Sequence, residues 1–455
     1  MEPRRPPASG GALADYFKFA ERGTDLVTEA RAGLTTFMVM AYIIFVNSNI
    51  ISGPLGLDPV AVSAATALIA GIMTIAMGVA SNYPFALAAG LGINAIVAFG
   101  LTARGLDARG AMGVILIEGI VITILVVVGL REAVMNAVPL ALKRSIGVGI
   151  GLFILFIGFA NGGIVAGQDS TYGSIPAVTI RPITEPAQWV FLFGLLLTIV
   201  LWVRRIKAAL IISILVTTLV AILAGVATVG TLTWTPNFST LGVGLQDPLQ
   251  VFATLGILTA VLTIFSIMLL DFFDTMGTVT GVATQAGLAG PDGRVPGVGR
   301  VLLVDSVAAF VGGAAGTSSN TTYIESAAGV AEGGRTGFTS VVTGILFLLA
   351  IFLAPLAGIV PGVATAPALV LVGYLMFTQV RDVAVDNVED GLPALLTMIL
   401  MPLTYDISVG IGAGFIAWTL IKVVRGKLDE IHPLMWVVSI AFLVFFAKDV
   451  IDLYV

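Results

Sequence analysis

Two carboxylates in Leu269-Leu-Asp271-Phe-Phe-Asp274-Thr-Met-Gly277 stand three residues apart, which puts them on one face of a helix. No charge follows until Asp292 and Arg294, so the apolar helix can run on and leave Asp271 near its middle. An ionised carboxylate in hydrocarbon is costly, and it responds by taking a proton, a cation or a polar ligand. The alternative for Asp274 is a solvated place at the inner interface. A third acid, Glu325, closes the small polar run Gly316-Thr-Ser-Ser-Asn-Thr-Thr-Tyr-Ile-Glu325 and opens a helix through Ser326 to Val330. Such backbone survives at membrane depth only where it lines a cavity, and broken helices with polar ends are how secondary transporters build binding sites. Asp305 and Glu118 are further intramembrane acids. Either can be structural, Asp305 by accepting from a backbone amide freed at a broken span.

The elements that must hold these groups are set by composition. Of 455 residues 58% are hydrophobic and 11% charged, with a mean hydropathy of +1.05, whereas soluble domains carry about 25% charged residues. This is an all-α, multi-pass membrane protein. Apolar segments run near 34–51, 60–80, 85–100, 111–130, 146–165, 188–203 and 208–228. A second series follows near 257–284, 301–314, 320–331, 338–357, 367–380, 392–403 and 407–424, with one more at 434–447. Several fall short of the roughly 20 residues of a straight span, as half-helices would. With the N-terminus inside, only Arg104, Arg109 and Arg181 of the 22 Lys and Arg lie outside, Lys448 being undecided. The first 33 residues have no signal-peptide core, so the first span is expected to remain.

Seven spans per half would set the second half upside down, the inverted repeat usual for alternating access. The halves resemble each other weakly: Val138-Pro139 before the span from Ile146 parallels Val360-Pro361 before the span from Pro367. Spans 3 and 10 are then partners. Pro84-Phe-Ala-Leu-Ala-Ala-Gly90-Leu-Gly92-Ile-Asn94 and Gly316 to Glu325 are both extended small-residue runs ending in a polar side chain. Two such strands can pair at the bilayer centre and satisfy each other's amides, while the half-helices behind them aim positive ends at one pocket. Gly90 and Gly92 could instead serve close helix packing alone.

Several functions are excluded. The spans hold no Lys or Arg in their apolar parts, which argues against a carrier of sulfate, bicarbonate or other anions. There is no cysteine, and the single histidine, His432, precedes Pro433 in an inner loop, so any proton relay must use carboxylates. No nucleophile-and-base motif suggests an enzyme, no metal site or cofactor is called for, and nothing suggests nucleic acid as a partner.

The chain resembles the nucleobase:cation symporter-2 family, the xanthine/uracil permeases, and within it the AzgA-like adenine/guanine/hypoxanthine branch. The resemblance is carried by Gly33 to Asn47, Ala89-Gly-Leu-Gly-Ile-Asn94-Ala, Asp271-Phe-Phe-Asp274-Thr-Met-Gly-Thr278, Thr321 to Gly337 and Met401-Pro-Leu-Thr-Tyr405. It departs from the family at Ala89 and Ser48, where Pro is usual, and at Met276, where Thr is. It implies fourteen spans in two inverted repeats, with a cytoplasmic tail at 1–33 and core-domain halves at 34–130 and 251–357. Gate-domain halves would be 131–228 and 358–424, the gate commonly mediating homodimers. Residues 425–455, whose apolar part either spans or lies along the inner surface, complete the chain. Function would be secondary uptake of purine nucleobases with a co-transported cation, in the first place a proton, across the cell membrane. The alternatives are uracil, xanthine or urate as substrate, or sodium as the cation. For the site the resemblance implies Glu325 and Asp271 on the purine, Asn94 in support, and Asp274 as the second acid of its motif. Residue chemistry adds Tyr323, Phe272 and Thr322 to the purine contacts, with Phe273 and Phe85 as other stacking candidates. Coupling would fall to Asp271, Asp274, Glu325 or Asp305.

Overall fold

The computed structural model describes residues 11–129, 137–167, 178–229, 234–290 and 295–454. Among these, nine helices are long and apolar enough to cross a membrane. Leu91–Leu101 and Ala209–Leu223 are shorter apolar helices. Together with Val298–Ala314, Val388–Thr404 and the broken segment ending in Ser326–Ala331, they complete the fourteen expected spans. The expected boundary at 130/131 lies outside the described residues, as do the first ten residues of the N-terminal tail.

Polar residues fix the helix ends. Asp25, Asp58, Asp107 and Asp406 each accept backbone N–H groups from the first turn of the helix they precede, and Pro59 fills the first helical position after Asp58. Span 1 starts at Leu26, well before its apolar run, because Glu29 is buried and satisfied. Its carboxylate accepts from Arg335 N at 2.8 Å, Thr336 Oγ1 at 2.8 Å and Thr339 Oγ1 at 2.6 Å, tying span 1 to the start of span 11. The same span is interrupted at Ala41–Tyr42, between Leu26–Met40 and Ile43–Leu55.

Among the described residues four short strands lie between the helices: β1 (Leu87–Ala89), β2 (Val165–Gly167), β3 (Val178–Ile180) and β4 (Asn320–Thr322). β2 and β3 form a ribbon between spans 5 and 6. β1 and β4 are the expected central pair, antiparallel, with Leu87 opposite Thr322, Ala88 opposite Thr321 and Ala89 opposite Asn320. The pairing runs on at both ends, from Gly90 N to Ser319 O at 2.8 Å and from Tyr323 N to Ala86 O at 2.9 Å. Two spans thus stop being helical at one place and satisfy each other's amides.

The spans pack in two groups. In one, span 9 lies on span 4 and span 11 on span 2, with spans 1 and 10 alongside. Exchanging the halves turns the first of these contacts into the second, as an inverted repeat requires. Both are glycine contacts: a Cβ on Gly78 would meet Gly337 O at 2.3 Å, and one on Gly313 would meet Leu116 N at 2.6 Å. In the other group, spans 12 and 13 pack on span 5, span 14 on span 13, and spans 6 and 7 on span 12.

The final helix, Pro433–Tyr454, is antiparallel to span 14. Ser439 Oγ lies 2.8 Å from Thr419 Oγ1, and Phe442 meets Phe415 edge-on with centroids 6.3 Å apart. It runs with span 14 toward the face that holds Asp406, and does not lie across the ends of the spans.

Candidate functional site

The strand pair brings span 10 against spans 1, 8 and 9, and the acids collect there. Glu325 is half-buried at the residue before the helix Ser326–Ala331. Its Oε1 accepts from Tyr42 Oη at 2.8 Å. Tyr42 sits where span 1 is interrupted, a geometry that points its phenol across the bundle. Tyr323, buried two residues before Glu325, donates its hydroxyl to Ala89 O and so joins span 10 to the end of β1.

Asp271 and Asp274 have different surroundings. Asp271 is 1% exposed and accepts from Ser319 Oγ at 2.8 Å, with Thr275 Oγ1 at 3.4 Å. Asp274 is half-buried and lies within electrostatic reach of Asp305, Glu325 and Tyr323. One helical face therefore splits into a carboxylate turned to the strand pair and one turned to Glu325.

Asp305 makes a bond to a backbone amide of the broken span 10. Its Oδ1 accepts from Thr322 N at 2.9 Å and Thr322 Oγ1 at 2.8 Å, and its Oδ2 from Thr275 Oγ1 at 2.7 Å. Thr322 is thereby turned into the protein, 1% exposed. Asn94 is fully buried, and among the described residues neither its Oδ1 nor its Nδ2 has a hydrogen-bond partner. A buried amide left so is costly unless a ligand or water completes it.

The aromatic candidates separate. Phe272 is fully buried in an apolar cluster with Ile122 and Met268, turned to span 4. Phe85 stacks on Tyr83, centroids 5.2 Å apart and planes 3° apart, below the strand. Phe273 lies at the seam between the groups, with Lys143 Nζ 5.6 Å from its ring centroid. Tyr323 stays beside Glu325. Sequence reasoning passed over Tyr42, Ser319 and Thr275. For Tyr42 a signal existed, since a phenol in mid-span needs a partner when buried.

The described residues form a membrane bundle of two inverted seven-span repeats, with a core and a gate domain and acids gathered where two broken spans meet. The transmembrane domain of the cyanobacterial bicarbonate transporter BicA shares this fold, with a TM-score of 0.63 at 14% identity, over 86% of this chain and 97% of that one. The sequence pattern of the permease family that includes the xanthine and uracil permeases matches residues 28–413, and the chain belongs to that family, nucleobase:cation symporter-2. It is 39% identical to the guanine/hypoxanthine permease PbuG of Bacillus subtilis, over 95% of this chain and 99% of the relative. To the adenine permease AdeP of Escherichia coli it is 40% identical, over 95% of each.

Proposed function

We propose that this protein takes up purine nucleobases across the cell membrane by proton symport with alternating access. The observation that carries the reading is the meeting of Glu325, Asp274 and two phenols at the β1–β4 pair. Relatives named as guanine/hypoxanthine and adenine permeases, matched along nearly their whole length, support purine as the substrate class. A purine edge offers N–H donors beside acceptor nitrogens. Glu325 can accept a donor pair while the amide of Asn94 completes the complement.

In this reading Glu325 and Asp274 face the substrate. Asp271 and Asp305 set the position of span 10 by holding Ser319 and Thr322. Tyr323 and Phe273 are the stacking candidates; the burial of Phe272 and Phe85 argues against them. Spans 1–4 and 8–11 form the core and spans 5–7 and 12–14 the gate, which agrees with the two packing groups. A proton taken up at the Asp274–Glu325 pair from outside permits binding, the loaded core moves against the gate, and loss of the proton inside releases both. Linkage between the two sites supplies the coupling.

Uptake of labelled hypoxanthine into vesicles tests this directly. Adenine, guanine or hypoxanthine should compete, a protonophore should abolish accumulation, and removing sodium should not. Competition by uracil alone would give the protein a different substrate, and sodium-dependent, protonophore-resistant uptake a different cation.

A further inference from the structure

Span 3 ends at Leu101 in a π-helical turn, Ile96–Leu101, and the chain reverses through Arg104 before span 4 starts at Ala108. Span 14 starts at Ile407, just after Tyr405, whose φ of 58° turns the chain sharply between spans 13 and 14. The two turns meet. Arg104 forms an ion pair with Asp406 and also donates to Thr263 Oγ1 on span 8 at 2.8 Å. Its guanidinium lies 5.9 Å from the ring centroid of Phe445 on the final helix. Arg104 and Thr263 belong to the group around spans 4 and 9, Asp406 to the group around spans 5 and 12, so the pair crosses the seam between them.

Three features set this pair apart from an ordinary surface contact. Its side chains are only 19% and 23% exposed. Asp406 is fixed beforehand, because its other oxygen caps span 14 by accepting from Ser408 N at 2.8 Å. Tyr405 wedges its ring edge-on among Phe99, Phe153 and Phe156, at 5.9, 5.0 and 5.9 Å. Beneath the pair a cavity of about 10 Å³, room for one water, is lined by Ile96, Leu101, Phe153, Tyr405 and Ser408. At the opposite end the seam is crossed by Lys207 and Glu332, with Arg31 beside them, and there Lys207 and Arg31 are 51% and 61% exposed. Exposed pairs of that kind hold little.

We propose that the Arg104–Asp406 pair is the latch of the external gate, holding the outer end of the core against the gate while the site is closed to the outside. It must part before substrate can enter, and each return to the closed state remakes it. The inference rests on the alternating-access reading above and adds the residues that carry out the closure.

The chain has no cysteine, so Ser408→Cys places one thiol beneath the latch. A membrane-impermeant maleimide applied outside should label it slowly, and hypoxanthine should change the rate. Asp406→Asn keeps a capping oxygen for span 14 but removes the charge, and Arg104→Gln removes the other. Each should speed labelling roughly tenfold, as a population shift from loss of one partner of a half-buried pair. An unchanged rate in Asp406→Asn, with hypoxanthine still altering it, overturns the latch alone. A rate indifferent to hypoxanthine without the latch substitutions overturns the alternating-access reading, and labelling only after the membrane is opened overturns the external placement.

Discussion

Span 3 brings Leu87, Ala88 and Ala89 to the central strand pair, and span 10 brings Asn320, Thr321 and Thr322. All six are buried and share one ladder, so the backbone demand on the two halves is the same. Their side chains are not alike. Span 3 offers methyl and isobutyl groups and one amide, Asn94, a turn later. Span 10 offers hydroxyls that Asp305 and Asp271 hold through Thr322 and Ser319, then a phenol, then Glu325. The inverted repeat fixes shape in both halves and leaves charge to one. In the proposed reading span 3 supplies a wall and the single amide of Asn94, and span 10 carries the charge.

The sharpest way to break this contrast is Glu325→Gln. In the proposed reading this removes a charge that hydrogen-bonds the substrate, which costs about 2–3 kcal/mol, roughly a hundredfold in uptake, so uptake should fall to background at unchanged membrane content. Uptake like that of the unsubstituted protein, with expression matched by immunoblot, would take Glu325 out of the site.

A finer contrast lies within span 8. Asp274→Asn should abolish accumulation and leave thermal stability in detergent unchanged, since no strand depends on it. Asp271→Asn should lower uptake and also lower the melting temperature, because Ser319 loses a charged acceptor worth about 1.5–3 kcal/mol. Equal melting temperatures for both would mean the two acids are not divided as their surroundings suggest.

Tyr42→Phe removes one hydrogen bond to Glu325 and leaves the ring. The half-saturation concentration should rise several-fold, by about 1 kcal/mol, with the maximal rate retained. A fall in maximal rate alone would place Tyr42 in the conformational step. The smallest effect belongs to the wall. Ala88→Gly should cost about 0.5–1 kcal/mol of stability and leave hypoxanthine affinity within twofold (~0.4 kcal/mol), as expected of backbone that touches no substrate. A change in purine preference would give the strand of span 3, and not Asn94 alone, a part in recognition.

Much of this was legible in the chain. A small polar run inside hydrocarbon has few physical solutions, so the pairing of Gly316 to Glu325 with Pro84 to Asn94 is legible in the chain itself. The ends of span 1 were less legible. Its polar first turns look like a tail because hydropathy cannot register that Glu29 is satisfied by Arg335, Thr336 and Thr339, some three hundred residues away.

The sequence by itself determined the class, the succession of apolar spans, the two breaks and the acids that had to be explained, because each follows from what a bilayer forbids to backbone and charge; the count of fourteen is what the family resemblance implied. Only the tertiary structure decided which face of each helix meets which neighbour. Asp271 and Asp274 differ by about 60° around span 8 at 3.6 residues per turn, yet one closes on Ser319 and the other opens toward Glu325. Phe272 turns to Ile122, Tyr42 to Glu325 and Arg104 to Asp406 for the same reason. Periodicity assigns residues to a common face, and the packing of distant spans determines what that face meets.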